Sequence, residues 1–205
     1  MWSRSVSPAL ENPMDQDIKS RPKYEKLRRD DSGRFHLLLA DRNPVSADAF
    51  DRESAVDAFD ECWMIEGHSR AMPKPDPAAR SHAFRSQEHM LIALRHRLAR
   101  EHMGLRLYAV GTEPFVWAIH GIGDEHGLGC SEMRVHAAGS AARRVYCNHC
   151  RTITMGVTAS IFQCSGCNAS LFVRDHFSRR LNAFAGIQID AEVPGDVPPA
   201  EELYL

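Results

Sequence analysis

The chain has 205 residues, 43% hydrophobic and 25% charged, which allows one α/β domain plus a small appendage and argues against wholesale disorder. A formal net charge of -2 excludes a global field that would draw the whole chain to nucleic acid or an anionic membrane, so any basic surface must be local. No run of about 18 apolar residues occurs, and Met1-Trp2-Ser3-Arg4-Ser5-Val6-Ser7-Pro8 lacks the apolar stretch of a signal peptide; the expectation is a cytoplasmic protein with no membrane partner.

Residues 1–34 are polar and punctuated by Pro8, Pro13 and Pro22, with basic residues clustered from Lys19 to Arg34. Without apolar periodicity they read as an N-terminal arm, flexible or partner-bound. The apolar run from Phe35 to Ala40 predicts a strand, and Ser46 as an N-cap predicts a helix through Phe50, Val56 and Phe59. Cys62 to Ile65 predicts a second strand, and Met72-Pro73-Lys74-Pro75-Asp76-Pro77 a loop. From Ser86, the residues Leu91, Leu94 and Leu98 share one helical face, with Gly104 as the left-handed C-terminal position. Leu105 to Val110 is the next strand. Thr112 then caps a helix with Pro114 in its first turn and Phe115, Ile119 and Ile122 on its buried face. Cys130 to His136 alternates as a half-buried strand does, with Met133 and Val135 on one side. The β-α-β-α-β-α-β order over residues 35–136 predicts an α/β domain, a small parallel sheet flanked by helices.

Ala137 to Ala142 has the small-residue composition of a linker. After it come Cys147-Asn148-His149-Cys150 and Cys164-Ser165-Gly166-Cys167, two C-x-x-C knuckles separated by thirteen residues. Cys62 and Cys130 stand alone in predicted strands. Each knuckle aims two thiolates at one centre from a tight turn, and a hairpin carrying Val157, Ile161 and Phe162 would bring the pairs face to face. Cys147, Cys150, Cys164 and Cys167 are therefore the expected ligands of one metal ion, with zinc first and a mononuclear iron as the alternative, since tetrahedral sulfur alone does not separate them. Four protein ligands leave no open position for an activated water, so no catalytic residue is expected there. Residues 143–186 are expected to form this zinc-ribbon module and a following helix, running from an Asp175 N-cap through Phe177, Leu181 and Phe184 to Gly186. Residues 187–205, with Pro194, Pro198 and Pro199, form an extended acidic tail.

Other signals carry less. His82, His89, His96 and His102 fall on or beside polar helix faces and are expected at the solvated surface, and His149 is superfluous beside four cysteines. Gly121-Ile122-Gly123 lies at the end of a predicted helix, where backbone amides are not aimed at an anion. Residues 141–180 hold Arg143, Arg144, Arg151, Arg174, Arg179 and Arg180 against one acid, Asp175, whereas residues 181–205 hold five acids and no base. A zinc-ribbon nucleic-acid binder is one alternative this block raises, but the aromatic interleaving such binding needs is thin. Docking on an acidic protein surface, or on the chain's own acidic tail, suits it better.

The stretch Arg143-Arg144-Val145-Tyr146-Cys147, the two knuckles, and Leu171-Phe172-Val173-Arg174-Asp175-His176-Phe177-Ser178-Arg179-Arg180-Leu181 with the acidic, proline-containing ending resemble the small A-type subunit of bacterial dimethylamine monooxygenase. The resemblance covers about residues 143–205. It implies an accessory subunit of a multi-component enzyme that demethylates dimethylamine to methylamine and formaldehyde with NADPH and O2. Heme, FMN and an iron–sulfur cluster would then lie in partners, namely a heme subunit and a flavin and iron–sulfur reductase subunit. A rubredoxin-like one-electron relay holding iron within that complex is the alternative role. Within residues 35–136, Leu37-Leu38-Leu39-Ala40-Asp41-Arg42 with Ala49-Phe50, and Tyr108-Ala109-Val110-Gly111 with Phe115, are similar to the pyridine-nucleotide domain of ferredoxin reductases. The leading glycine-rich loop is absent, and Val110 stands where those reductases usually have a reactive cysteine. The resemblance thus implies a degenerate Rossmann-like scaffold without cofactor-binding residues of its own.

Overall fold

The structure, a computed structural model, describes residues 21–41, 49–51, 59–66 and 80–205. The helix expected from Ser46 falls largely outside these residues, as do the Met72–Pro77 loop and residues 1–20. The first half of the described chain is a five-stranded, all-parallel sheet in the order β3-β2-β1-β4-β5, built from β1 (Phe35–Ala40), β2 (Glu61–Ile65), β3 (Arg80–Phe84), β4 (Leu105–Gly111) and β5 (Met133–Ala137). Strand alternation sends Leu37, Leu39, Leu107 and Ala109 to one face and Leu38, Ala40, Tyr108 and Val110 to the other, and parallel strands require both faces to be covered. The helices α1 (Gln87–Leu98) and α2 (Glu113–Glu125) cover the first face.

Ser86 caps α1 by accepting the His89 N–H at 3.2 Å, and Met90, Leu94 and Leu98 are its buried stripe. Leu91 is only half-buried, and the helix ends before Gly104, whose φ of +107° turns the chain into β4 instead. α2 begins after Thr112 with Pro114 in its first turn and buries Phe115, Ile119 and Ile122 as expected, and Gly121 and Gly123 lie inside it. β3 is absent from the sequence reading. It is an edge strand with four exposed residues, so it shows neither the alternation nor the apolar run that marks a buried strand.

The second face is covered from outside the helical layer. Leu27 is buried against it with Ala49, Phe50 and Phe59, and it pairs with residues 49–51 through Leu27 N–H to Ala49 O at 2.7 Å and Asp51 N–H to Leu27 O at 3.0 Å. The Asp30 amide donates to Tyr108 Oη at 2.9 Å, and Arg106 Nε donates to the Asp30 carboxylate at 2.8 Å. Residues 21–34 therefore pack on their own domain, where an arm free or held by a partner was expected. The missing clue is periodicity, because one buried leucine and a polar network attach the segment.

The second half is a mixed five-stranded sheet of order β7-β6-β10-β9-β8, with β6 (Arg143–Cys147), β7 (Ile153–Val157), β8 (Ile161–Gln163), β9 (Ser170–Ser178) and β10 (Ala183–Gln188). Two expectations are corrected here. β7 and β8 do not form a hairpin with each other; they lie at opposite edges of the sheet. The helix from Asp175 to Gly186 is also absent, because those residues are the end of β9, a turn with Asn182 at φ +49°, and β10. The helix-like spacing of Phe177 and Phe184 is satisfied across the hairpin, where the two residues pair directly with ring centroids 5.0 Å apart, while Leu181 is left at the exposed turn.

Beyond Asp190 the tail turns at residues 191–195, and its end pairs with the connection between β7 and β8. Leu203 and Tyr204 N–H both donate to Thr158 O, and Ser160 N–H donates to Glu201 O. Buried Tyr204 lies on one side of the Arg143 guanidinium at 3.8 Å from its ring centroid, Phe184 lies at 4.0 Å, and Asp175 accepts from Arg143 Nη2 at 2.6 Å. The two sheets share one core in which Trp117 of α2 meets Phe177 of β9 at 5.2 Å. No helix among the described residues is long and apolar enough to cross a membrane.

Candidate metal centre

The two knuckles repeat one backbone design. The first cysteine donates its N–H five residues ahead, Cys147 to Thr152 O and Cys164 to Ala169 O. Its carbonyl accepts from four residues ahead, Arg151 N–H and Asn168 N–H, all at 2.9 Å. The residue after the second cysteine is left-handed in both, Arg151 at φ +68° and Asn168 at +61°, a conformation Asn tolerates and Arg adopts only under constraint. Amides turned inward by these bends reach sulfur, Cys150 N–H to Cys147 Sγ at 3.5 Å and Gly166 N–H to Cys164 Sγ at 3.4 Å. A Cβ on Gly166 would collide with the Thr152 side chain and stand 3.2 Å from Cys150 Sγ, so glycine is required where the second knuckle presses on the first.

The sheet brings the pairs together without a hairpin. β6 and β7 flank the first knuckle, β8 and β9 the second, and Thr154 Oγ1 meets Ser165 Oγ at 3.0 Å across the gap between the edges. All four Sγ atoms lie within 4.8 Å of one another, with Cys147–Cys167 at 3.9 Å and Cys150–Cys164 at 3.5 Å. A tetrahedron of thiolates at Zn–S distances of about 2.3 Å has sulfur–sulfur edges of about 3.8 Å, so these residues could hold one ion. Cys147 and Cys164 are buried and Cys150 and Cys167 half-buried.

The thiols answer differently to one another's charge. Hydrogen bonds from Thr152, assisted by the neighbouring thiols, bring Cys150 down to about 6. The Ala169 amide favours the Cys167 thiolate, but burial and the other three sulfurs push that thiol up to about 12. So close a set cannot be fully ionised without a cation at its centre. His149 is exposed and outside the cluster. Cys62 is buried in β2, and Cys130 is exposed in the turn before β5.

The parallel sheet has its own candidate site. Strand order reverses between β1 and β4, and open sheets of this kind receive ligands at the carboxyl ends of such strands. Here Asp41 fills the position. Its carboxylate accepts from Thr112 Oγ1 at 3.0 Å and the Thr112 amide at 3.4 Å, so the Thr112 hydroxyl does not cap α2. A Cβ on Gly111 would collide with the Asp41 side chain. Glu113 in the first turn of α2 accepts from Tyr24 Oη at 2.6 Å, and Tyr24 Oη accepts from Trp117 Nε1 at 2.7 Å. Two carboxylates thus stand at the carboxyl end of the strand-order reversal, on Asp41 after β1 and Glu113 after β4. Sequence reasoning missed Asp41 and Thr112 as a pair because they are 71 residues apart.

The description "Dimethylamine monooxygenase subunit DmmA-like, N-terminal domain" matches residues 16–133, more than half of the chain, and the C-terminal domain of the same family matches residues 144–187. The chain belongs to the DmmA-like family. It is 35% identical over 111 residues to a heme-dependent oxidative N-demethylase delta subunit from Ectopseudomonas mendocina (strain ymp). The match covers 54% of this chain and 63% of that relative, so the chain spans less than two thirds of the relative's length. No solved structure matches. The N-terminal family match ends at residue 133, the first of β5, and the C-terminal match begins at residue 144, within β6, so the cysteine-bearing sheet from that point on carries the second family domain.

Proposed function

We propose that this chain is a noncatalytic subunit of a heme- and flavin-dependent oxidative N-demethylase that converts dimethylamine to methylamine and formaldehyde with NADPH and O2. In this reading Cys147, Cys150, Cys164 and Cys167 hold one structural zinc ion, and heme, FMN and an iron–sulfur cluster belong to partner subunits in the cytoplasm. Membership of the DmmA-like family supports the assembly, and the relative named as a delta subunit supports a subunit role. The observation that carries the noncatalytic part is Asp41 bound to Thr112 at the strand-order reversal. It places a carboxylate in the crevice through which a sheet of this topology would otherwise bind a nucleotide. Four cysteine ligands would likewise leave a metal no open position for substrate.

Co-production with the heme and reductase subunits tests the reading. The expected result is recovery in a complex of fixed stoichiometry, while the chain purified without its partners is colourless and holds one zinc ion. Recovery as a lone monomer from cells making all partners would defeat it. The partial exposure of Cys150 and Cys167 favours a second reading, an iron-holding one-electron relay whose outer sulfurs face a partner. Visible thiolate-to-iron absorption that bleaches on reduction would establish that instead.

A further inference from the structure

A groove of about 620 Å³ runs along the junction of the two sheets, between α1 and α2 and the β9–β10 turn. Its lining combines Leu91, Ile92, Ile122 and Leu181 with Arg144, Arg179 and Arg180. Ile92 of α1 is 49% exposed and Leu181 of the turn 37% exposed, large side chains left in water where isolated ones would go unremarked but paired ones form a patch. Arg95 and Glu125 satisfy each other across the helices. That leaves Glu88 as the only other acid of the groove against Arg144, Arg179 and Arg180. None of these three forms an ion pair among the described residues. Arg144 Nε and Asn182 Oδ1, both on groove residues, are buried without a hydrogen-bond partner, a state native structures rarely leave unanswered. An adjoining pocket of about 240 Å³ shares Trp117 and Arg179 and adds Lys23, Lys26 and Arg134 against one acid, Glu25, so the excess of positive charge continues onto the N-terminal segment. In a chain of net charge -2 this is a strongly local field.

Resting on the subunit reading above, we propose that the groove is the docking seat for an acidic, amphipathic segment of a partner subunit. Its carboxylates pair with Arg144, Arg179 and Arg180, and an apolar side chain enters between Ile92 and Leu181. Apolar anchors ringed by complementary charge are the usual anatomy of such a contact. A nucleic acid fits less well. Stacking needs an open aromatic face, and Trp117, the one aromatic of the groove, is 5% exposed and already packed on Phe177.

The test uses the full chain with its partner subunits and three variants. Arg180→Glu and Ile92→Gln alter exposed groove positions, and Arg100→Glu makes the same charge change at an exposed site outside the groove. Folding is checked by metal content and melting temperature. Arg180→Glu is expected to weaken association about tenfold or more and to flatten its salt dependence, while Ile92→Gln weakens it with the salt dependence kept. Arg100→Glu should bind within about twofold of the unaltered chain. Unchanged affinity in both groove variants, or equal loss in all three, would overturn the proposal. So would an RNA or DNA oligonucleotide competing through Arg180. Failure of the unaltered chain to join the complex would instead remove the subunit reading, and the docking seat with it.

Discussion

Single atoms decide the metal site. Gly166 shows this most sharply, because its missing Cβ is the space in which Thr152 and Cys150 Sγ approach the second knuckle. Gly166→Ala should lower metal affinity at least about tenfold, the scale on which supporting-shell changes act, while each of Cys147→Ser, Cys150→Ser, Cys164→Ser and Cys167→Ser should abolish stoichiometric binding. Elemental analysis of purified variants checks both, and wild-type metal content in any cysteine variant would count against a four-sulfur site. Protons report the same chemistry. Cys167 is pushed up to about 12 in the metal-free cluster, so near neutral pH it enters as a thiol and must lose its proton to become a ligand. Loading metal in weak buffer should release protons, and the contribution from Cys167 should shrink as the pH is raised toward 12. Loading with no acidification would argue against thiolate ligation.

Among the elements, those whose signal is local were legible and those whose partners are distant were not. Both helices could be read because a cap, a first-turn proline and an apolar stripe all lie within one segment, as Ser86, Pro114 and Phe115-Ile119-Ile122 show. The cysteine pairs were legible for the same reason, since each knuckle is closed by bonds spanning four or five residues. By contrast, Phe177, Leu181 and Phe184 have helical spacing, and only the turn at Asn182 and the pairing of Phe177 with Phe184 make them a hairpin. The attachment of residues 21–34 is not legible locally because it depends on Tyr108 and Arg106, over 70 residues away. That attachment has a pH signature. Hydrogen bonds from Ser32 and Arg106 hold the Asp30 carboxyl well below the usual range, and burial beside Arg29 lowers His36. Both folded values are depressed, so each group contributes stability that is complete above its unfolded value, about 3.9 for Asp and 6.5 for His, and is lost as the pH falls through the folded one. The melting temperature should therefore fall on acidification from neutrality. Asp30→Asn should melt lower than the unaltered chain at pH 7, with the gap narrowing below about pH 4. A constant gap across that range would mean the carboxylate contributes nothing through its charge.

At the scale of the whole molecule, the C-terminal sheet is not a free ribbon folded by metal alone. Val145, Val173, Phe177 and Phe184 belong to the same core as Leu107, Phe115 and Ile119, so loss of the ion removes one support among several. Trp117 joins the parts. It donates to Tyr24 of the N-terminal segment, packs on Phe177 of the second sheet, and lies under the Arg179 guanidinium at 5.6 Å while anchored in α2. Burial of one aromatic at such a contact is worth about 3–5 kcal/mol when truncated to alanine, a large share of the ~5–15 kcal/mol that holds a typical domain. The unaltered chain should then unfold in one transition seen alike by circular dichroism and by metal release, because neither sheet gains by opening before the other. Trp117→Ala should uncouple them, with metal release and loss of the second sheet preceding the melting of the parallel sheet. Chelation of the unaltered chain should lower the melting temperature yet leave the parallel sheet folded, since none of the four cysteines lies on its strands. A Trp117→Ala chain that still unfolds in a single step, within about 1 kcal/mol of the original, would show that the two sheets are held together by something other than this shared core.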